Sequence, residues 1–403
     1  MKICIAPDSF KGTLSSQEAA ERIARAARRV FPGVETVCLP MADGGEGTAA
    51  AMAAACGGRL QEAQAAGPLA FDERRPAGAR VAAPDWAETG RTPVPVWAAL
   101  PDAAVIEMAQ AAGLPLVPEA LRDPRYTTTY GVGQLLTAAL DAGYRDILLA
   151  LGGSATNDGG LGLARALGLR ALDREGRELR GTGADLARVA ALDLAGLDPR
   201  LRDCRIRLLC DVRNPLLGPE GAAAVFGPQK GASPEAVAEL ERGMAAYARV
   251  VEAACGRSIA SLPGAGAAGG LGVPLLAFCG AELVRGVDAV LDAAHFEARL
   301  AGCDLVVTGE GRIDAQSAMG KAPAGVAARA RARGVPTVVI AGSILPGAEA
   351  LYGLGAASLQ STLRCVASLE ETLGQAGPWL EDAAERMFRL IALGQTLPTR
   401  PAG

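Results

Sequence analysis

Seven acidic residues of this 403-residue chain, Asp8, Asp43, Glu46, Asp158, Asp211, Glu310 and Asp314, stand in loops that follow short aliphatic runs. Carboxylates so placed can hold a divalent cation such as Mg2+ or take the proton of a hydroxyl group. Taken singly, each can equally be a helix cap or a turn former; Asp43 in ADGG and Asp158 in NDGG have the neighbours that turns favour. The lysines sharpen the pattern. Of 40 basic residues only Lys2, Lys11, Lys230 and Lys321 are lysine, and the last three lie beside glycine in SFKG, PQKG and MGKA. Lysine sets a compact charge on a thin stem against one phosphate oxygen, whereas the planar fork of arginine suits bidentate pairing. Three glycine-flanked lysines in an arginine-dominated chain therefore point to an anionic ligand, and they are expected to converge with the carboxylates on one crevice.

Two loops add to this. In GGSATNDGG, residues 152–160, small side chains and hydroxyls allow close approach to a polar ligand, and the following helix offers its positive end to an anion. Gly153 and Ser154 are its candidate contacts. The second loop, GAGAAG at 264–269, matches GxGxxG, but a dinucleotide fingerprint follows a strand, and RSIASLP before it ends in Pro263. Phosphate binding through the N–H groups of Gly264, Gly266 and Gly269, and a close-packed turn without ligand, both stay open. MGKA is not a Walker A motif, because Ala322 replaces the Ser or Thr that follows the lysine.

The elements that must carry these loops read as α/β. KICIAP, VETVCLP, DILLAL, RIRLLC, DLVVTG and TVVIAG each run into a polar or glycine-rich loop and then a helical pattern. Ser15 and Ser16 followed by Glu18 mark a helix start. Ligands of open α/β sheets bind outside the carboxyl ends of the strands, so these loops are also a site expectation. Residues 67–100 are rich in Pro, Gly and charge, which suggests a discontinuous chain: 1–66 plus 285–403 as one parallel-sheet domain, and 67–284 inserted as another.

Composition excludes several functions. Net charge is −4 with both signs mixed along the chain, so no basic face for nucleic acid is expected. No apolar run long enough to span a membrane occurs, and the amino terminus lacks the pattern of a secretory leader, which together predict a cytoplasmic protein. Nine scattered cysteines without CxxC spacing read as buried thiols. His295 is the single histidine and lies in a helical pattern, which argues against zinc and against Ser–His chemistry and leaves a carboxylate or lysine as general base.

IAPDSFKGTLSS, ADGGEGT, ALGGSATNDGG, NPLLGPEGAAAVFGPQKGA, PGAGAAGGLG and TGEGRIDAQSAMGKAPAGVA, in this order over nearly the whole chain, resemble the bacterial glycerate kinase family, the type that makes 2-phosphoglycerate. The resemblance implies a two-domain α/β enzyme: one flavodoxin- or Rossmann-like parallel-sheet domain, a second, smaller mixed α/β domain, and an active site in the cleft between them. It implies transfer of the γ-phosphoryl group of ATP to D-glycerate with Mg2+, with 2-phosphoglycerate expected over 3-phosphoglycerate. A homodimer is an admissible assembly. On this reading Asp8, Lys11, Asp158 and Asp314 are the catalytic candidates. Ser9, Asp43 and Arg312 would bind substrate. Gly153, Ser154, Lys230, Gly264, Gly266, Gly269 and Lys321 would hold phosphates, and Glu310 and Asp211 the metal. Arg213 in CDVRNPLLG departs from the small or acidic residue expected there. Two rivals are an NAD(P)-dependent oxidoreductase of a small hydroxy acid using GAGAAG, and a ligand-sensing regulatory module.

Overall fold

The computed structural model describes residues 1–72, 74 and 96–397; most of the Pro-rich 67–100 segment lies outside them. The strands, in chain order, are β1 (Lys2–Ile5), β2 (Glu35–Cys38), β3 (Arg59–Glu62), β4 (Val96–Ala99), β5 (Ala104–Glu107), β6 (Asp146–Ala150), β7 (Arg170–Leu172), β8 (Ala191–Asp193), β9 (Arg205–Leu209), β10 (Glu282–Val284), β11 (Leu305–Ile313), β12 (Thr337–Ile344) and β13 (Ala356–Ser361). The chain divides into two compact units, Met1–Asp43 with Ala50–Gly57 and Val287–Gly403, and Gly44–Ala49 with Gly58–Gly286. Residues 58–66, expected in the first domain, fall in the second because β3 pairs with β4. The unit expected to be the smaller is the larger.

The first unit is built on a five-stranded sheet in the order β13-β12-β11-β1-β2, parallel throughout. Counted within the unit this is the flavodoxin-like order 2-1-3-4-5, whose topological switch lies between β1 and β11. Ile3, Ile5, Val307 and Ile340 are fully or nearly fully buried, as near-continuous aliphatic strands covered on both faces must be. Helix Ser16–Val30 starts on the expected signal: the Ser15 hydroxyl accepts from the Glu18 N–H at 3.2 Å, and the Glu18 carboxylate takes the Ser15 N–H at 2.9 Å. Such a capping box is worth about 1 kcal/mol. Its buried alanines and Ile23 pack with Leu380, Met387 and Phe388 of helix Ala376–Thr396.

The second unit carries a six-stranded mixed sheet, β10-β9-β6-β5-β4-β3, with the first four strands parallel and the last two pairings antiparallel, plus the β7–β8 hairpin. Ile147, Leu149, Ile206 and Leu208 join Val132, Leu135 and Leu136 of helix Tyr130–Asp141 in its core. All nine cysteines are free, but only Cys4 and Cys279 are buried, so the expectation of buried thiols holds for just these two. His295 is exposed, with φ 49° in the break before helix Phe296–Arg299. Among the described residues no helix is long and apolar enough to cross a membrane.

Candidate active site

At the β1/β11 switch the chain leaves β1 still bonded to its neighbour. Ala6 N–H donates to Val307 O and Asp8 N–H to Gly309 O, both at 2.8 Å, while the Thr308 hydroxyl donates to Ala6 O at 2.7 Å. Gly309 admits no side chain, since a Cβ would stand 1.8 Å from Ile340 O. Asp8 is thereby fixed beside β11, and only 3% of it is exposed. Its Oδ1 accepts the Ser9 N–H at 2.6 Å, while its buried Oδ2 has no partner. Burial pushes the Asp8 carboxyl up to about 7; the charge of Asp43 adds to this, and the Ser9 N–H and Lys11 oppose it. A carboxyl poised near neutrality with one open oxygen is suited to accept a proton.

Lys11 sits on the tip of a turn in which Thr13 N–H and Leu14 N–H donate to Phe10 O, closed by Gly12 at φ 80°, a conformation that favours glycine. Gly231 and Gly320 beside the other two lysines also take positive φ, 92° and 136°. The glycine next to each lysine is thus a demand of the backbone. Lys11 Nζ lies 3.6 Å from Asp43 Oδ2. Burial works against its charge, but Asp43, Asp8 and Glu310 outweigh that and raise its pKa. Glu310, in β11, is buried; its Oε1 accepts the Ser317 hydroxyl at 2.7 Å and its Oε2 lies 3.8 Å from Lys321 Nζ. Burial raises the Glu310 pKa against the Ser317 hydrogen bond and the Lys321 and Lys11 charges. Asp8, Ser9, Lys11, Asp43, Glu310 and Lys321 therefore form one group. Ser317 was not singled out in the sequence, where it is one serine in AQSAMG.

Asp314 and Arg312 are placed differently. Asp314 Oδ1 accepts the N–H groups of Gln316 and Ser317 at 2.9 and 3.2 Å, and its Oδ2 lies 3.6 Å from Nε of the exposed Arg312. In the structure Asp314 forms a turn that seats Ser317 under Glu310.

The carboxylates of Asp43 and Glu310 fit Mg2+, which takes one or two carboxylates and keeps several waters. The fit rests on the grouping of these two acids, whose charges both act on Asp8 and on Lys11. Among the described residues no group of three or more His, Cys, Asp or Glu forms a closed metal cage. Asp211 belongs to the second unit, where its Oδ1 accepts the Gly286 N–H at 3.0 Å.

In the second unit the loop 152–160 is mostly interior. Only Gly152, Gly153 and Ser154 reach the surface; Ala155 to Gly160 are buried. Asp158 is fully enclosed: Oδ2 accepts Thr129 N–H and Oγ1, both at 2.7 Å, and Gly162 N–H at 3.3 Å, while Oδ1 accepts Gly160 N–H at 3.1 Å. Burial raises its pKa against these donors. With both oxygens spent on these donors, Asp158 stands as an internal post of the second unit. Lys230 is 1% exposed and donates to Thr156 O at 2.6 Å. Burial depresses it to about 7, with Asp158 opposing. Lys230 is thus enclosed within the second unit, while Lys11 and Lys321 stand beside the carboxylates of Asp43 and Glu310 in the first.

The 264–270 loop is also buried throughout. Gly264 and Gly266 N–H donate to Asn214 O at 3.2 and 3.0 Å, and Gly269 N–H to Gly266 O at 3.2 Å. A Cβ on Gly266 would lie 2.2 Å from Pro215 O, and one on Gly269 2.1 Å from Thr156 O. These glycines serve chain-on-chain packing and spend their N–H groups within the chain, which gives the dinucleotide reading of GAGAAG no support. Sequence reading missed Glu107, which is buried at the end of β5 and accepts the Gly47 and Ala49 N–H groups at 3.1 and 2.6 Å. It holds Gly47 of the ADGGEGT loop from a distance of 60 residues, and nothing in its own neighbourhood signals that.

A parallel sheet with carboxylates and lysines gathered at its strand switch suits an α/β small-molecule kinase. The sequence model of the glycerate kinase family matches residues 3–392, and the chain belongs to that family. It is 45% identical over 397 residues to the glycerate kinase of Bacillus subtilis, covering 98% of this chain and 99% of that one. It is 43% identical over 394 residues to the glycerate 2-kinase of Escherichia coli, covering 98% and 99%. A crystal structure from Salmonella typhimurium LT2, described as glycerate kinase 2, superposes with a TM-score of 0.83 at 42% identity, covering 99% of this chain and all of that one.

Proposed function

We propose that the protein transfers the γ-phosphoryl group of ATP to the 2-hydroxyl of D-glycerate, giving 2-phosphoglycerate. The observation that carries the mechanism is the buried Asp8 with its open Oδ2 and a pKa pushed up to about 7. In this reading Asp8 Oδ2 orients the substrate hydroxyl and accepts its proton as the oxygen attacks the phosphoryl group. Phosphoryl transfer otherwise asks for positioning and positive charge, so no covalent nucleophile is required. Lys11 and the exposed Arg312 are the cations available to the glycerate carboxylate. Lys321, tied to Glu310, supplies charge to the transferring group. Glu310, with Asp43, would hold Mg2+, which when bound neutralises charge on the phosphate oxygens. The name of the E. coli relative, glycerate 2-kinase, supports the 2-phospho product.

The test is phosphorus NMR of the product from ATP and D-glycerate, combined with a pH profile. A 2-phosphoglycerate resonance and a rate that climbs with pH through about 7 to a plateau are expected, since the base must be ionised. A 3-phosphoglycerate product sinks the regiochemistry; an Asp8→Asn variant with undiminished turnover sinks the base.

A further inference from the structure

We propose that the second unit carries an anion site of its own, a surface cavity that takes a small aliphatic acid bearing a phosphate group. The cavity measures about 690 Å3, and small-molecule sites occupy about 300–1,000 Å3. Its lining residues lie between 173 and 253, inside one unit, and none of them is among the residues grouped around Asp8. Arg174, Arg177, Arg188 and Arg249 face only Asp173 and Glu175 in that lining, so two positive charges are in excess. A concavity lined mainly by one sign of charge concentrates counter-ions. The rest of the lining is alanine and valine, with no aromatic ring on which a flat base could stack. An aliphatic anion therefore suits the surface better than a nucleotide does.

Three local devices build the cavity. Helix Pro234–Cys255 sets Ala246, Arg249, Val250 and Ala253 at the i, i+3, i+4 and i+7 positions of one face, so small side chains form a floor with one guanidinium among them. Gly243 on the same helix lets the 3-10 helix Gly183–Arg188 pack close, since a Cβ there would stand 3.2 Å from Leu186 Cβ. That packing brings Arg188 to the wall. The turn 173–177 supplies the opposite wall. Its buried Asp173 accepts the Glu175 and Arg177 N–H groups on Oδ1 at 3.0 and 2.9 Å, and Arg177 Nε on Oδ2 at 2.9 Å. The same Oδ2 lies 3.5 Å from Arg188 Nη2, and Arg188 Nη1 donates to Asp185 Oδ1 at 3.2 Å. One buried carboxylate thus holds two arginines from separate segments in fixed positions, which lowers the freedom lost when an anion binds. Arg174 and Arg249 complete the rim; both are exposed, and among the described residues no hydrogen bond or ion pair takes them. Two held guanidiniums, two open ones and an apolar floor in one concavity complement a short carbon chain that carries a phosphate and a carboxylate.

The test is calorimetric titration of the full chain with 3-phosphonopropionate, which joins the two anions through an aliphatic chain, and with inorganic phosphate as the single-anion control. Saturable binding tighter than that of phosphate is expected, and it should weaken by about tenfold or more in Arg174→Ala and in Arg249→Ala, as loss of a charge-assisted contact requires. Ala253→Trp, which fills the floor from an exposed position, should abolish it. Neither arginine variant should move the unfolding temperature of the free protein, and kcat measured without the phosphonate should stay within about twofold of wild type. Binding equally tight in all three variants, binding lost in Lys11→Ala instead, or binding no tighter than that of inorganic phosphate overturns the proposal; the last outcome leaves only a diffuse attraction for anions. The titration does not depend on glycerate being phosphorylated, so failure of the proposed reaction and failure of this site are separate results.

Discussion

Asp8 and Asp158 stand in strand-end loops made of similar residues, and their carboxylates end in opposite states. Around Asp8 in the first unit, a buried carboxylate oxygen is left without a partner, two lysines lie within 4 Å of carboxylates, and Lys11 stands largely in solvent. Around Asp158 in the second, four donors fill one carboxylate and the lysine is sealed inside on a backbone carbonyl. Polar residues in a strand-end loop therefore do not by themselves mark chemistry. What separates Asp8 from Asp158 is a carboxylate oxygen the fold has buried and left unsatisfied, since such an atom costs about 1–3 kcal/mol unless a ligand completes it; the second unit also buries polar atoms without partners, but at the Thr156 hydroxyl and the Asn157 amide beside Asp158 and not on its carboxylate.

Two substitutions test that contrast directly, and they should fail in opposite ways. Asp8→Asn removes the proton acceptor, and kcat is expected to fall by about 10^2–10^4-fold. Its fold should survive and, above neutrality, gain. The Asp8 pKa is raised in the folded state, so the stability it contributes is complete below the unfolded value of 3.8 and lost as pH rises through about 7. The variant, which cannot ionise, should unfold at a higher temperature than wild type at pH 8 and near the same temperature at pH 4, as read by calorimetry. Asp158→Ala should instead cost stability, by about 3–5 kcal/mol, because the N–H groups of Thr129, Gly160 and Gly162 lose their shared acceptor. A stable Asp158→Ala protein with a selective loss of kcat would erase the distinction between the two regions.

Much of this was legible in the sequence, for reasons that also explain the failures. The aliphatic runs, the Ser15–Glu18 signal and the Lys11–Gly12 pair are local, and the structure uses them locally. Asp8 and Glu310 were readable as strand-end acids because such placement is common to α/β folds. Asp158 and Lys230 carry the same local signal, but their fate is set by Thr129 and Thr156, which a linear reading cannot bring to them. The GAGAAG stretch misleads for a related reason: glycine permits close approach, and sequence does not say whether a phosphate or Pro215 does the approaching. Glu107 was invisible because its partners lie far along the chain.

Lys230 gives a sharper, pH-resolved form of the comparison. Its pKa is depressed from 10.5 to about 7 by burial, so the neutral amine is the form the fold prefers. The stability linked to it is present above the unfolded pKa and declines as pH falls through the folded one, across the window from 10.5 to about 7. Lys230→Met keeps the stem but leaves Thr156 O without its donor, at a cost of about 1–3 kcal/mol near pH 10. By pH 7 the wild type has lost its advantage while the methionine variant has not changed, so the gap between their denaturation midpoints should shrink or reverse. A gap independent of pH would mean that the ammonium is not enclosed as described.

The smallest effect is expected at Asp314, and it bears on whether the acids at the first site can be told apart. Its Oδ1 caps Gln316 and Ser317, a task that the amide oxygen of asparagine performs nearly as well. Asp314→Asn should therefore leave kcat within a few-fold and stability within about 1 kcal/mol. Asp314→Ala removes the cap altogether and should act through Ser317, loosening its 2.7 Å hydrogen bond to Glu310. If Glu310 holds the metal, the alanine variant will then need more Mg2+ for half-maximal rate while the asparagine variant will not. Equal loss in both would return Asp314 to the chemistry, because only a role needing its negative charge treats alanine and asparagine alike.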